Sequence, residues 1–283
     1  MTALSYDLLI AGIRIRIRGS RPFCLTENLL RFQRKAGDTD RPDWLFEFAV
    51  GTEDVAFGKG DHVTRLHWKD DEYFWRVERT DGVRVCRLYV PRGIADSFVL
   101  HAHWTKYLMM ERMLLPFDRL ILHSSAVITE GQAILFTAPS GVGKSTQAAL
   151  WETHAGAEII NGDKVIVSAG GEAPVAYGGP IAGTSRIYKD VKAPISAIVY
   201  LRQGPENKLT VPDPSRAFMA LYSQAVKSSD DESFNKGLIP LIESVILRVP
   251  VVELTCQPNA SAVEYLRSRL PFPQRRTISE EFL

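Results

Sequence analysis

The 283-residue chain reads as an α+β protein in two parts, a strand-rich first third followed by an α/β half. Three observations predict this. From residue 1 to residue 90, short runs with period-two alternation are punctuated by glycine and aspartate, the pattern of strands and turns. From Asp96 to Leu115 the pattern turns helical, with apolar residues around much of the circumference, as in a helix packed on both sides. From Ala133 to Leu150 an apolar run enters a glycine-rich loop and leaves it as a helix.

Composition bounds the rest. Hydrophobic residues are 45% and charged residues 24%, ordinary globular values that exclude a disordered or collagen-like chain. Lys and Arg number 34 against 33 Asp and Glu, a net charge of +1. That balance excludes a broad basic footprint for nucleic acid. Cys24, Cys86 and Cys256 are scattered, make neither a disulfide framework nor a metal cluster, and fit a reducing cytoplasm. No apolar run reaches the ~18 residues of a membrane span. The opening MTALSYDLLIAG carries Asp7 and no basic segment, so it does not read as a secretory signal. A cytoplasmic protein without membrane or nucleic-acid partners is the expectation.

In order along the chain, Ile13, Ile15 and Ile17 alternate with Arg14, Arg16 and Arg18. The arginines read as the solvated side of an edge strand, with capture of an acidic peptide or phosphate as the alternative. Strands follow at Trp44–Val50, His62–Trp68, Glu72–Arg79 and Val83–Val90, the last two joined at the hairpin signal Asp81-Gly82. Trp68, Phe74 and Trp75 read as packing residues. His101 and His103 have no acidic or cysteine partners at ligand spacing and are assigned no metal. Residues 1–94 therefore form an antiparallel β-rich domain, 95–118 a linking helix ending before Pro116, 119–270 an α/β domain and 271–283 a Pro-rich charged tail. In the α/β part, strands are expected at Leu120–Thr129, Ala133–Thr137, Glu158–Ile160, Val165–Ser168, Ala197–Leu201 and Val251–Leu254. Helices are expected at Lys144–His154, Ser215–Val226, Leu238–Leu247 and Ala260–Leu270, the last capped by Asn259.

The loop Ala138-Pro139-Ser140-Gly141-Val142-Gly143-Lys144-Ser145-Thr146 is the phosphate-loop pattern with alanine in place of its first glycine. Gly141 and Gly143 let the backbone curl so that successive N–H groups face a phosphate, and the helix points its positive end at the same place. Ser140 through Thr146 would cradle the nucleotide, Lys144 would reach the outer phosphates and Ser145 would ligate Mg²⁺. Such loops serve transporters, switches, motors and kinases alike. The Leu-Ser-Gly-Gly-Gln signature of ABC ATPases is absent, as is the Asn-Lys-x-Asp guanine motif. The strongest apolar strand, Ala197–Leu201, ends in Arg202 where a metal-binding aspartate usually stands. An acid comes instead from Asn161-Gly162-Asp163, just after the loop's helix, and a strand beginning at His123 precedes the loop.

This order resembles the catalytic domain of HPr kinase/phosphorylase, itself related to ATP-dependent phosphoenolpyruvate carboxykinase. The chain is most similar to the small HPr-kinase-like proteins, some of which accompany lasso-peptide and other peptide-modification gene sets. The resemblance spans Leu120 to Leu254 and leaves the N-terminal part unassigned. It implies that His123 lies near the transferred phosphate and that Gly141, Gly143, Lys144 and Ser145 bind ATP. The family's paired aspartates read here as Gly162-Asp163, so Asp163 alone would serve as general base and metal contact. The turn Tyr177–Arg186 fits the family's glycine-rich slot but lacks its metal-side glutamate.

On this basis the catalytic candidates are Asp163, His123, Lys144 and Arg186, and Mg²⁺ would be held by Ser145 and Asp163. Arg186 would stabilise phosphoryl charge, with Lys189 and Lys192 as weaker versions; Thr184 and Ser185 would offer loop N–H groups to substrate. The expected activity is transfer from ATP to a Ser or Thr hydroxyl of a peptide or small protein, recognised with help from the N-terminal domain. Two alternatives stay open: a nucleotide-binding scaffold without transfer, and a kinase for a small hydroxyl compound. A homo-oligomer is compatible with the resemblance.

Overall fold

The computed structural model describes residues 3–34, 41–51, 57–59, 61–67, 73–81, 83–93, 107–228 and 231–270. It divides into two compact units, residues 1–117 and 118–283.

In the first unit the chain runs β1 (Ala3–Ile10), β2 (Ile13–Phe23), a short helix α1 (Glu27–Leu30), β3 (Trp44–Val50), β4 (His62–His67), β5 (Tyr73–Asp81) and β6 (Val83–Val90). A short helix α2 (Met110–Leu114) and a 3-10 turn at Leu115–Phe117 close the unit. Of the helix expected over Asp96–Leu115, residues 96–106 lie outside the described part, as do His101 and His103. Ala11 and Gly12, both at positive φ (50° and 79°), make the tight turn between β1 and β2.

The sheet order is β1-β2-β3-β6-β5-β4. The antiparallel expectation is corrected here, because β2–β3 and β3–β6 are parallel and the sheet is mixed. The segment after β2 crosses over through α1 instead of turning back. Strand β3 then pairs with β6 across the inserted β4–β5 hairpin. Strand β2 is correspondingly not an edge strand, since β1 and β3 flank it. Its isoleucines are buried, and Arg16 pairs with Asp7 of β1 at 2.6 Å. Phe23, Phe46 and Phe48 form the aromatic core with edge-on contacts at 5.2 and 5.6 Å. The Trp44 indole N–H donates to Met113 O at 2.9 Å and ties α2 to the sheet. Trp75 is half-buried beside Phe57. Trp68 and the side chain of Phe74 fall outside the described residues.

The second unit runs β7 (Arg119–Thr129), β8 (Gln132–Thr137), α3 (Lys144–Ala155), β9 (Glu158–Asn161), β10 (Lys164–Ser168) and β11 (Val175–Tyr177). It continues with β12 (Lys192–Gln203), β13 (Lys208–Thr210), α4 (Pro214–Gln224), α5 (Glu232–Ile246), β14 (Val251–Cys256) and α6 (Ala260–Arg267). The sheet order is β11-β10-β7-β8-β12-β14-β13, with β9 beside β7. Its centre, β8–β12–β14, is parallel. The middle of these strands, Ala133 to Phe136, Ala197 to Val199, and Val251 and Val252, is apolar and buried, as in a sheet covered on both faces. Helices α3 and α6 bury Trp151, Ala262, Val263 and Leu266 against Ile134, Phe136, Val199 and Leu254. Helix α5 starts six residues before its expected Leu238, capped by Asp231, whose carboxylate accepts from Phe234 N at 2.9 Å. Gly237 and Pro240 read as breakers, yet the buried stripe Phe234, Leu238, Leu241, Ile242 and Val245 holds the helix through them. Among the described residues no helix is long and apolar enough to cross a membrane.

Candidate functional site

Strand β7 organises the site because its pairing changes partway along. Arg119–His123 pair with β10, with His123 opposite Lys164. Ala126–Ile128 pair with β9 on the same side. Between the two pairings the chain bulges as Gly162-Asp163. On the other side of β7, Ser124 stands opposite Thr137, the last residue of β8 before the glycine loop. The register therefore brings His123, the Asp163 turn and the glycine loop to one end of the sheet. Three bonds fix it: Ser124 N to Asp163 O at 3.0 Å, Ser125 Oγ to Gly162 O at 2.9 Å, and Thr137 Oγ1 to His123 O at 3.0 Å.

The loop between β8 and α3 turns on two glycines. Gly141 and Gly143 take φ of +82° and +119°, and a Cβ on either would project into open space. Ala138 is fully buried and is not among the positive-φ residues, so a small side chain suffices there. Gly143 caps α3, and Gln147 N donates to Gly143 O at 2.9 Å. Ser140, Ser145 and Thr146 are exposed and Val142 is half-buried. Lys144 is 7% exposed, its ammonium donating to Ala138 O at 2.9 Å and Pro139 O at 3.3 Å. Burial pushes its pKa below the ordinary lysine value, and the negative charge of Asp163 works against that fall.

Asp163 and His123 meet: His123 Nε2 lies 3.0 Å from Asp163 Oδ1. Ser145 Oγ donates to Gly162 O at 3.2 Å, so the helix start touches the same turn. Asn161, which sequence reasoning passed over, holds the turn in shape. Its buried carboxamide accepts from Asp163 N and Lys164 N, both at 2.9 Å. It donates to Ile181 O at 2.8 Å and Gly179 O at 3.3 Å. The signal was an Asn two residues before the acid, the Asx-turn position.

Those donations fasten a second turn, Gly183–Ser185, over the first. A Cβ on Gly183 would lie 2.7 Å from the Asp163 carboxyl carbon, and a Cβ on Gly162 would lie 2.5 Å from Ser185 Cβ. Ser185 thus fills the space where a side chain at residue 162 would stand. Its hydroxyl donates to Ala182 O at 2.6 Å and accepts from Ile187 N at 3.3 Å. Arg186 follows at φ +52°, an uncommon conformation for a non-glycine residue. It is exposed. The weaker candidates are not brought in: Lys189 pairs with Glu158 at 2.8 Å, and Lys192 lies over the Tyr177 ring. At the end of β12, Arg202 pairs with Glu253 at 2.7 Å. Among the described residues no group of three or more His, Cys, Asp or Glu is placed to hold a metal ion.

No family model matches the sequence, and no curated protein does. Among solved structures, the HPr(Ser) kinase/phosphatase from Coxiella burnetii aligns with 52% of this chain and 90% of that chain. The identity is 11% and the TM-score 0.30, a faint likeness beside which the site stands on its own geometry.

The packing of Ser185 on Gly162 is testable. Gly162→Ala should lower stability by about 1–3 kcal/mol by overpacking, and Gly162→Ala with Ser185→Gly should recover most of it in chemical denaturation. Equal stability of both variants and wild type would contradict the contact.

Proposed function

We propose that the protein is a kinase that moves the terminal phosphate of ATP to a hydroxyl, a Ser or Thr side chain of a peptide or small protein. The observation that carries this is the His123–Asp163 pair at 3.0 Å, set beside the start of α3 by Ser145 and Gly162. In the proposed reaction the acceptor oxygen bonds to the terminal phosphorus as the bond to the bridging oxygen breaks and ADP leaves. Asp163 takes the hydroxyl proton, and His123 orients the carboxylate that receives it. Lys144 leaves the carbonyls of Ala138 and Pro139 for the outer phosphates, and Arg186 neutralises charge on the transferred group.

The Ser145 hydroxyl, which touches Gly162 O, and the carboxylate of the next residue, Asp163, are hard oxygen donors of the kind that suit magnesium, which is commonly held by one or two carboxylates with substrate phosphates and water; these two residues would hold it. When bound, the ion would screen the phosphate charges.

A second reading, a nucleotide-binding scaffold without transfer, is favoured by one observation: Ser185 occupies the place of a second carboxylate at residue 162. Labelled ATP and candidate acceptor peptides separate the two. Lys144→Ala should abolish nucleotide binding. Asp163→Asn should keep binding and lower transfer by about 10²–10⁴-fold. Nucleotide binding with no transfer by wild type to any acceptor would favour the scaffold.

Arg186→Gly removes the guanidinium and relieves the positive φ. Thermal stability should stay within about 1 kcal/mol of wild type or rise, while transfer falls by about 10²-fold. Unchanged transfer would remove Arg186 from the reaction.

A further inference from the structure

A cavity of about 170 Å³ opens beside the glycine loop, between it and the ends of β12 and β14. It is smaller than the roughly 300–1,000 Å³ of pockets that enclose a whole drug-sized ligand, the scale of one part of a larger molecule. Gly141, Val142 and Gly143 line it, so a group lying there is continuous with anything held by the loop. Leu201 and Pro258 give apolar surface, and Gln147 and Gln203 give amides.

Gln147 is the informative residue. It is 3% exposed, yet its Oε1 is buried without a hydrogen-bond partner. Its Nε2 donates to Cys256 Sγ at 3.2 Å, and a thiol sulfur is a weak acceptor. A buried carboxamide normally spends its hydrogen bonds, and Asn161 in the same unit spends all of its own. At the other side of the cavity, Gln203 Nε2 donates to Val142 O at 3.3 Å, linking the end of β12 to the loop.

We propose that this cavity is the base subsite of the nucleotide, that its occupant is adenine, and that Gln147 reads it. The proposal rests on the nucleotide reading above. A carboxamide offers an acceptor beside a donor, which matches the amine and adjacent ring nitrogen of adenine in a bidentate pair. Guanine presents two acceptors on the corresponding edge and leaves Oε1 facing a carbonyl oxygen. Turning the Gln147 amide toward the base gives up a weak bond to sulfur.

The test is calorimetric titration of the full chain with Mg-ATP, Mg-GTP and magnesium inorganic triphosphate. Wild type should bind ATP at least about five-fold more tightly than GTP or triphosphate. Gln147→Leu should bring ATP down to the affinity of triphosphate and leave triphosphate unchanged. Because Gln147 is buried, Gln203→Trp provides a second variant that fills the cavity from an exposed position, with the same expected result. Melting curves identify the variants that fold. Triphosphate binding with no preference for ATP, or a folded variant of either kind that keeps the preference, would overturn the base subsite alone. Failure of wild type to bind any of the three would overturn the nucleotide reading, and the subsite with it.

Discussion

Every hydrogen-bonding position on the buried Asn161 carboxamide is spent, and the bonds run to two different loops. Its oxygen takes the N–H groups of Asp163 and Lys164, and its nitrogen gives to the carbonyls of Gly179 and Ile181. One side chain thus sets the shape of the Asp163 turn and holds the 183–186 turn over it. A non-hydrogen-bonding residue at 161 would leave up to four backbone groups to find other partners, each at a cost of about 1–3 kcal/mol where none is found. The Asp163 turn, held against β7 by Ser124 and Ser125, is tied through this clasp to the segment that carries Ser185 onto Gly162.

The clasp acts on a frame set by sheet topology. Strand β8 feeds the glycine loop and is flanked by β7 and β12. The β12 side ends in Arg202, already paired with Glu253, so it delivers no acid. The β7 side delivers one because β9 and β10 pair with successive halves of β7 and leave Gly162-Asp163 bulged between them. With Ser185 over Gly162 the turn holds a single carboxylate. The charge of Asp163 acts on Lys144 across this turn, opposing the fall in the lysine's pKa that burial causes.

Much of this was legible from the sequence where the signal is local. Strands Trp44–Val50 and Val83–Val90 lie where alternation placed them, and α3 begins at Lys144 because Gly-x-Gly-Lys marks a loop and a helix start together. His123 and Asp163 were both singled out by the sequence, and they do meet. What alternation does not carry is strand direction, so the parallel β2–β3 and β3–β6 pairings were missed. The start of α5 was missed because its breakers are local and its stabilising stripe is tertiary. The Asx turn of Asn161 is a local signal, but its two bonds to residues about twenty positions away, which make it a clasp between turns, are encoded by no local pattern.

Whether the turn held by Asn161 sets Asp163 at the terminal phosphate of a nucleotide on the glycine loop is decided by a crystal structure with magnesium and a non-hydrolysable ATP analogue. The triphosphate should lie on residues 140–146, with Lys144 Nζ released from the carbonyls of Ala138 and Pro139 and bonded to the outer phosphates. The Asp163 carboxylate should stand beside the terminal phosphate, within about 3 Å of where an attacking hydroxyl would stand. An analogue bound elsewhere, or bound on the loop with its terminal phosphate turned away from Asp163, would contradict it.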